Sequence, residues 1–310
     1  MSRALLITGA TGKQGGAIID ALLAQEPSNW TILAVTRNPT SPAAQNLQSK
    51  SDKIKLVQGD LDDIPTLFTT AQGTANGKIH GVFSVQISMG KNVTFQSEVT
   101  QGTNLIDAAV SHGVSHFIYS SVERGGDERS WDNPTPVPHF QTKHQIEHHL
   151  RDCTQHSGMR WTILRPVAFM DNLTPGFPSR VFLSAMKSAL GHKTMQWIAV
   201  SDIGVFAAKA FNEPELWDGV AMGLAGDDLD FEELMAVFRE KTAVVMTPVW
   251  AWCGWALMWG VKEVGTMVRW FGEEGYAADV GKCRRMVPGL LGVEAWVGRN
   301  GEFPPKEKVV

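Results

Sequence analysis

The 310 residues are 43% apolar and 19% charged, which excludes a disordered or fibrous chain and is enough to bury a full core. A net charge of −4, with no lysine- or arginine-rich stretch, argues against a nucleic-acid partner. Three distant cysteines (Cys153, Cys253 and Cys283) exclude a disulfide framework and a spaced zinc motif, and fit a reducing compartment, cytoplasmic or nuclear.

In chain order, residues 4–8 read as a buried strand that runs into a glycine cluster without a cleavage site, so no secretory leader is expected. The triplets Asn92-Val93-Thr94 and Asn172-Leu173-Thr174 match the glycosylation pattern but carry no weight without secretion. A helix is expected over 15–25, with Ile18, Ile19, Leu22 and Leu23 at helical spacing. Strands follow at 31–35, 54–58 and 82–85, with a short helix after Pro65 between the last two. Then come a helix over 98–111 stopped by Gly113, a strand at 116–120, a helix over 140–157 stopped by Gly158, and a strand at 161–164. Apolar strands separated by helices imply right-handed βαβ units. The expected fold is therefore α/β, a doubly wound parallel Rossmann sheet.

Beyond Arg165-Pro166 the pattern loosens. Pro175, Gly176 and Pro178 mark a loop, and Ser201-Asp202-Ile203-Gly204 opens a helix with Asp202 as its expected cap. Asp230 and Glu233 form a capping-box signature for a helix over 231–241. Seven of the eleven tryptophans fall between Trp217 and Trp296. The expected organisation is a first domain over 1–165, rejoined by 195–215, and a smaller, mostly helical second domain over 166–310. Residues 243–261 are uncharged and long enough to suggest a membrane span. Pro248, Gly254 and the tryptophans in the middle, with Lys262-Glu263 directly after, favour a buried helix and no membrane.

The motif that carries chemistry lies between the first strand and the first helix. In Thr8-Gly9-Ala10-Thr11-Gly12-Lys13-Gln14-Gly15-Gly16 the glycines Gly9, Gly12 and Gly15 are spaced G-x-x-G-x-x-G. They permit a tight turn, close approach of backbone N–H groups to a pyrophosphate, and close packing of helix on strand. The second strand ends in Thr36-Arg37-Asn38-Pro39 without the carboxylate that usually binds a ribose 2′-hydroxyl. Arg37 suits a 2′-phosphate instead, so the cofactor expected is NADP(H). Asp60, at the end of the third strand, reads either as a neighbour of the adenine or as the cap of the next helix.

These motifs resemble the NmrA-like family, an atypical branch of the short-chain dehydrogenases. Further matches are Gly59-Asp60-Leu61-Asp62-Asp63, His139-Phe140-Gln141-Thr142-Lys143, Arg165 through Asn172, and Val200-Ser201-Asp202-Ile203-Gly204. The resemblance covers about residues 3–215 and continues more faintly through Tyr276, Pro288 and Trp296. It implies a Rossmann domain, a smaller helical domain and a cleft between them. It also implies cofactor contacts from Gly9, Ala10, Thr11, Gly12, Lys13, Gln14, Arg37, Thr40, Ser41, Asp60 and Leu61. The remaining contacts it implies are Val85, Gln86, Lys143, Val167, Ala168, Phe169 and Met170. Some relatives have a lysine on the helix after the fourth strand, where this chain has Thr100.

Short-chain dehydrogenases commonly protonate the substrate oxygen from a tyrosine four residues before a lysine. Here Lys143 is preceded at that spacing by His139, and the only tyrosines are Tyr119 and Tyr276. Two readings follow. In one, NADPH delivers hydride to a small apolar or aromatic carbonyl, enone or quinone while Lys143, His139 or the Ser120/Ser121 hydroxyls manage the proton. In the other, the same residues only hold the nucleotide, and the protein reports the NADPH/NADP⁺ ratio to a regulatory protein partner. Trp252, Trp255 and Trp259 share a helix face that suits a flat substrate or simply the core, and Met222, Met246 and Met258 allow the same two readings. His144-Gln145-Ile146-Glu147-His148 matches H-x-x-E-H, but its position beside Lys143 and the polar stripe of Asp152 and His156 argue for a solvated surface, so no metal is expected. The charged run 123–131 reads as a mobile loop over the cleft. One outcome is already fixed by the Arg37 assignment. Arg37→Ala should weaken NADP(H) about tenfold or more and leave NAD(H) nearly unchanged in equilibrium titrations, whereas equal losses would remove the 2′-phosphate contact.

Overall fold

Runs of β-branched and aromatic residues buried on both faces alternate with amphipathic stretches through the first half of the chain. The computed structural model describes residues 3–25, 29–90 and 93–306, so Asn92 of the first glycosylation-like triplet lies outside the described residues. The strands are β1 (Arg3–Ile7), β2 (Trp30–Thr36), β3 (Ile54–Gln58), β4 (Ile79–Ser84), β5 (His116–Ser120) and β6 (Arg160–Pro166). Between them run α1 (Lys13–Leu23), α2 (Pro42–Gln48), α3 (Ile64–Ala75), α4 (Phe95–Ser111), the short α5 (Arg129–Asp132) and α6 (Pro138–Thr154). These strands pair in parallel in the order β3-β2-β1-β4-β5-β6, and β9 (Val220–Leu224) follows β6 as the seventh. That order reverses direction between β1 and β4. In open α/β sheets ligands bind at such a switch point, outside the carboxyl ends of the strands.

The chain divides into two compact units. The first comprises Met1–Ser121, Thr142–Arg165 and Ser201–Met222; the second comprises Val122–Gln141, Pro166–Val200 and Gly223–Val310. In the first unit, Leu5, Leu6, Ile7, Ile32, Leu33, Val82, Phe83, Phe117 and Ile118 are wholly buried in the sheet. Helix α8 (Val200–Asn212), followed by the short α9 (Pro214–Trp217), lies so close to α1 that a Cβ on Gly204 would come within 2.4 Å of the Ala17 carbonyl oxygen. Gly113 (φ +64°) follows the cap of α4 in the left-handed region where a helix ends readily on glycine, whereas α6 ends at Thr154, short of Gly158.

The second unit holds a three-stranded sheet, in the order β10 (Asp227–Leu229), β8 (Met195–Ile198), β7 (Ala168–Phe169), and the helices α7 (Phe177–Leu190), α10 (Phe231–Lys241), α11 (Ala251–Gly260), α12 (Lys262–Glu273), α13 (Val280–Met286) and α14 (Val293–Arg299). Trp197, Trp270 and Phe271 anchor its core. The capping box of Asp230 and Glu233 opens α10 as expected.

Three expectations are corrected. Asp202 does not cap α8, which starts two residues earlier, where Asp171 accepts from Val200 N at 2.8 Å. Residues 243–261 are not a buried helix. Only the ten residues of α11 are helical there, and Trp250, Trp252, Trp255 and Trp259 are 66–87% exposed. No helix among the described residues is long and apolar enough to cross a membrane. Finally, the segment 123–131 is packed. Glu123 and Arg124 are wholly buried; Arg124 donates to the carbonyls of Val122 (2.7 Å), Ser130 (2.6 Å) and Asn133 (3.0 Å), and Glu123 accepts from the backbone of Gly125, Gly126 and Ala277.

One buried polar chain yields a pH prediction. Thr162 donates to the Trp217 carbonyl at 2.7 Å, so it accepts from His116 Nε2 at 2.8 Å. His116 Nδ1 has no partner among the described residues. The imidazole is therefore neutral, and burial, aided by Arg160 and His80, lowers it from 6.5 to about 4. The unfolded chain takes up this proton first. The stabilisation is thus complete above about pH 6.5 and is lost as pH falls towards 4, a change of roughly 3 kcal/mol. Urea midpoints should fall more steeply between pH 7 and 4.5 in the wild type than in His116→Gln; parallel slopes would remove the assignment.

Candidate dinucleotide site

The loop after β1 is shaped by close approaches that admit only glycine. Gly9 has φ +60°, and a Cβ there would lie 2.8 Å from Val85 Cγ1; one on Gly15 would lie 2.3 Å from the Gly9 carbonyl oxygen. The first turn of α1 therefore rests directly on the loop. Gly12, in extended conformation, caps α1 without a side chain, and the first turn carries no acidic residue. Nothing in α1 itself offsets the positive end of its dipole, an arrangement that suits an anion. Thr8 locks the loop to the end of β4, accepting from Val85 N at 2.8 Å and donating to the carbonyl of Phe83 or Val85. Ala10 is buried, whereas Thr11 and Lys13 are exposed. Gln14 Oε1 accepts from Ser120 at 2.6 Å, which ties the first turn of α1 to the end of β5.

The other strand ends surround this loop with polar groups. Arg37 is exposed past β2. Asn38 accepts from Thr40 N (3.0 Å) and Thr40 Oγ1 (2.7 Å), and Ser41 accepts from Ala44 N as the cap of α2. Past β3, Asp60 accepts from Asp62 N at 3.2 Å, and Leu61 is half-buried. The cap of α3 is Asp63, not Asp60. Past β4, Gln86 donates to Ser84 at 2.8 Å, and its Oε1 is buried without a partner among the described residues. A buried acceptor left unpaired costs free energy, and a ligand N–H or O–H there would recover it.

Lys143 is buried on α6, and its Nζ lies 2.9 Å from Glu98 Oε1 of α4. Ser88 also donates to Glu98 Oε1 at 2.8 Å, and Thr142 donates to Oε2 at 2.8 Å. The carboxylate is thus held by a cation and two hydroxyls, while an ammonium has three donors and spends one on Glu98.

His139 belongs to the second unit, where its Nδ1 lies 2.7 Å from Glu263. Val167, Ala168, Phe169 and Met170 also belong to that unit. Val167 N donates to the Leu224 carbonyl at 3.2 Å, the side chains of Val167 and Met170 are buried, and Ala168 and Phe169 form β7. Neither tyrosine resembles a proton donor. Tyr119 is wholly buried within β5, and burial, with Glu123 nearby, pushes the Tyr276 hydroxyl far up. The H-x-x-E-H run is split: His144 and His148 approach at 3.2 Å, while Glu147 is consumed by the buried Arg165 at 2.8 Å.

The NmrA-like family model matches residues 1–285. The chain belongs to the NmrA-like family. One relative, the NmrA-like family domain-containing oxidoreductase hkm9 of Aspergillus hancockii, is 27% identical over 259 residues, covering 78% of this chain and 73% of its own. The structure of Citrobacter sp. triphenylmethane reductase complexed with NADP(H) matches with a TM-score of 0.70 and 18% identity over 95% of this chain and 98% of that one. That of NmrA, a negative transcriptional regulator in complex with NADP, matches with a TM-score of 0.67 and 19% identity over 96% and 95%. At such identities the two structures show a shared fold.

Within this NmrA-like chain, Glu98 and Ser88 are the site residues that sequence reasoning missed. Thr100 is exposed and accepts from Gln96; the buried position on α4 is two residues earlier. The available signal was an acid spaced from Leu105 and Ile106 so as to share the inward face of a helix. Glu98→Ala would strand the Lys143 ammonium and should cost about 3–5 kcal/mol in urea unfolding. The pair Glu98→Leu/Lys143→Met should regain most of it; a loss under about 1 kcal/mol for the single change would contradict a buried pair.

Proposed function

We propose that this NmrA-like protein binds NADP(H) outside the carboxyl ends of β1 and β4 and reduces a small aromatic or conjugated carbonyl, enone or quinone without a tyrosine proton donor. The observation that carries this reading is the buried Lys143–Glu98 pair, in the same compact unit as the glycine turn. Gln86 Oε1, without a partner among the described residues, and the start of α1, which has no side-chain cap, fit a dinucleotide. When bound, NADPH supplies the hydride. The α1 amides hold the pyrophosphate, and Arg37 holds the 2′-phosphate. Thr40, Ser41, Asp60 and Leu61 line the adenosine end. Gln86 accepts from the nicotinamide half. Glu98 fixes Lys143 in one position, and the remaining ammonium donors hold ribose and polarise the substrate oxygen. His139, paired with Glu263, is the second group able to hold a proton.

Support for the substrate class comes from α11 and α12. Trp255, Met258, Trp259, Lys262, Thr266 and Arg269 line an open groove of about 490 Å³ in the second unit. Exposed indoles suit stacking on a flat ring system, and two cationic side chains suit polar or anionic substituents on it. The NADP(H)-bound neighbour is a triphenylmethane reductase, which agrees with an aromatic acceptor.

A second reading, a non-catalytic sensor of the NADPH/NADP⁺ ratio acting through a protein partner, is favoured by His139 at the position of the usual tyrosine, with Tyr119 wholly buried and the Tyr276 hydroxyl pushed far up. The test is NADPH oxidation, followed at the reduced-cofactor absorbance band, with a panel of quinones, enones and aromatic ketones. Turnover at saturating NADPH that falls at least about 100-fold in Lys143→Ala, well beyond the weakening of NADPH binding, is the expected result. The absence of turnover with every acceptor, together with calorimetric affinities that differ clearly between NADPH and NADP⁺, would establish the sensor.

A further inference from the structure

We infer that Asp107, His149 and Cys153 form a binding site for a borderline-soft divalent cation, with Zn²⁺ as the ion it fits best. The sequence carries no metal motif because the ligands come from two helices. His149 and Cys153 are four residues apart on α6, hence on one face, and Asp107 is supplied by α4. His149 Nε2 lies 2.7 Å from Asp107 Oδ1 and 3.3 Å from Cys153 Sγ, and Cys153 Sγ lies 3.6 Å from Asp107 Oδ1. Tetrahedral Zn²⁺, with its usual bond lengths to sulfur, nitrogen and oxygen, sets such donors about 3.3–3.6 Å apart. Two of the three separations already fall there, and the third needs to open by roughly half an ångström.

The chemistry of the donor set favours this ion. Thiolate, imidazole and carboxylate together match Zn²⁺, whereas Ca²⁺ and Mg²⁺ want oxygen alone. A Cys-His-Asp nucleophile is a poorer reading. In such a triad the acid and the nucleophile address opposite imidazole nitrogens, but here both approach Nε2 most closely. Three protein ligands with an exposed carboxylate leave the fourth position to water.

The scaffold is fixed where it matters. A Cβ on Gly102 of α4 would lie 2.6 Å from Ile146 Cδ1 of α6, and Glu98 binds Thr142 and Lys143 one turn away. The ligands therefore sit on backbones already in register, and the separation that must open is that of the exposed Asp107 from the half-buried His149. A bound cation would clasp the far ends of the two helices that carry Glu98 and Lys143.

The full-length, chelator-treated protein titrated with Co²⁺ tests this. The expected result is one equivalent of Co²⁺ with visible d–d bands and a near-UV thiolate charge-transfer band, both displaced by Zn²⁺. The near-UV band should vanish in Cys153→Ser and persist in Cys253→Ser. Asp107→Asn, which keeps its shape, should weaken Co²⁺ at least about tenfold. Zn²⁺ should raise Tm by a few degrees in the wild type and not in Cys153→Ser. A wild type without the near-UV band, a band that survives Cys153→Ser, or a Zn²⁺-induced rise in Tm shared by both proteins would overturn the assignment.

Discussion

The contact on which the rest of the site depends is that of the first turn of α1 with the Gly9 carbonyl. A side chain at Gly15 would have nowhere to go, so the helix begins hard against the end of β1. That placement directs the positive end of its dipole at the sheet's switch point, where Thr8 and Val85 join β1 to β4. The strand order alone makes a crevice there. The glycines make it a crevice for an anion.

A second constraint runs along the packed faces of α4 and α6. Three steps of contact follow one another: Glu98 with Thr142 and Lys143, Gly102 against Ile146, then Asp107 with His149 and Cys153. The middle step is apolar and sets the spacing of the two helices. The outer steps are polar, and their chemistry differs with exposure. At the buried end the carboxylate must be fully satisfied, and it is; at the exposed end the side chains meet only as far as solvent competition allows.

Much of this was legible in the sequence because it is local. The glycine spacing, the strand-helix alternation and the capping box of α10 each depend on residues within one or two turns of each other. What could not be read depends on tertiary partners. Glu98 looks like an ordinary helical acid until α6 places Lys143 opposite it. Asp202 has the composition of a cap, but Asp171, far upstream in sequence, takes that role for α8. The tryptophans of α11 illustrate a different limit. Hydrophobicity reads as burial, yet α11 packs on α7 through Gly254, where a Cβ would meet Ala185 N at 2.6 Å, and that close approach turns the indoles outward. The small residue took the inside of the helix, so the large ones could not.

The cost of the Lys143–Glu98 pair bears on the choice between a structural and a functional lysine. Removing two charges from water is expensive, and an apolar pair of similar volume commonly stabilises a fold as well or better. Ser88 and Thr142 complete the carboxylate's hydrogen bonds, so the arrangement is built to hold Glu98 in place rather than merely to fill space. A cation fixed in this way, with donors remaining, offers pre-set electrostatics to whatever approaches it, which a flexible surface lysine would supply only after reorganising. In a chain with no tyrosine four residues before Lys143, that fixed cation is the group through which ribose binding and substrate polarisation would be joined. A sensor needs only the first of these, and a reductase needs both, so the separation of binding from turnover in Lys143 variants addresses the division that the buried pair itself poses.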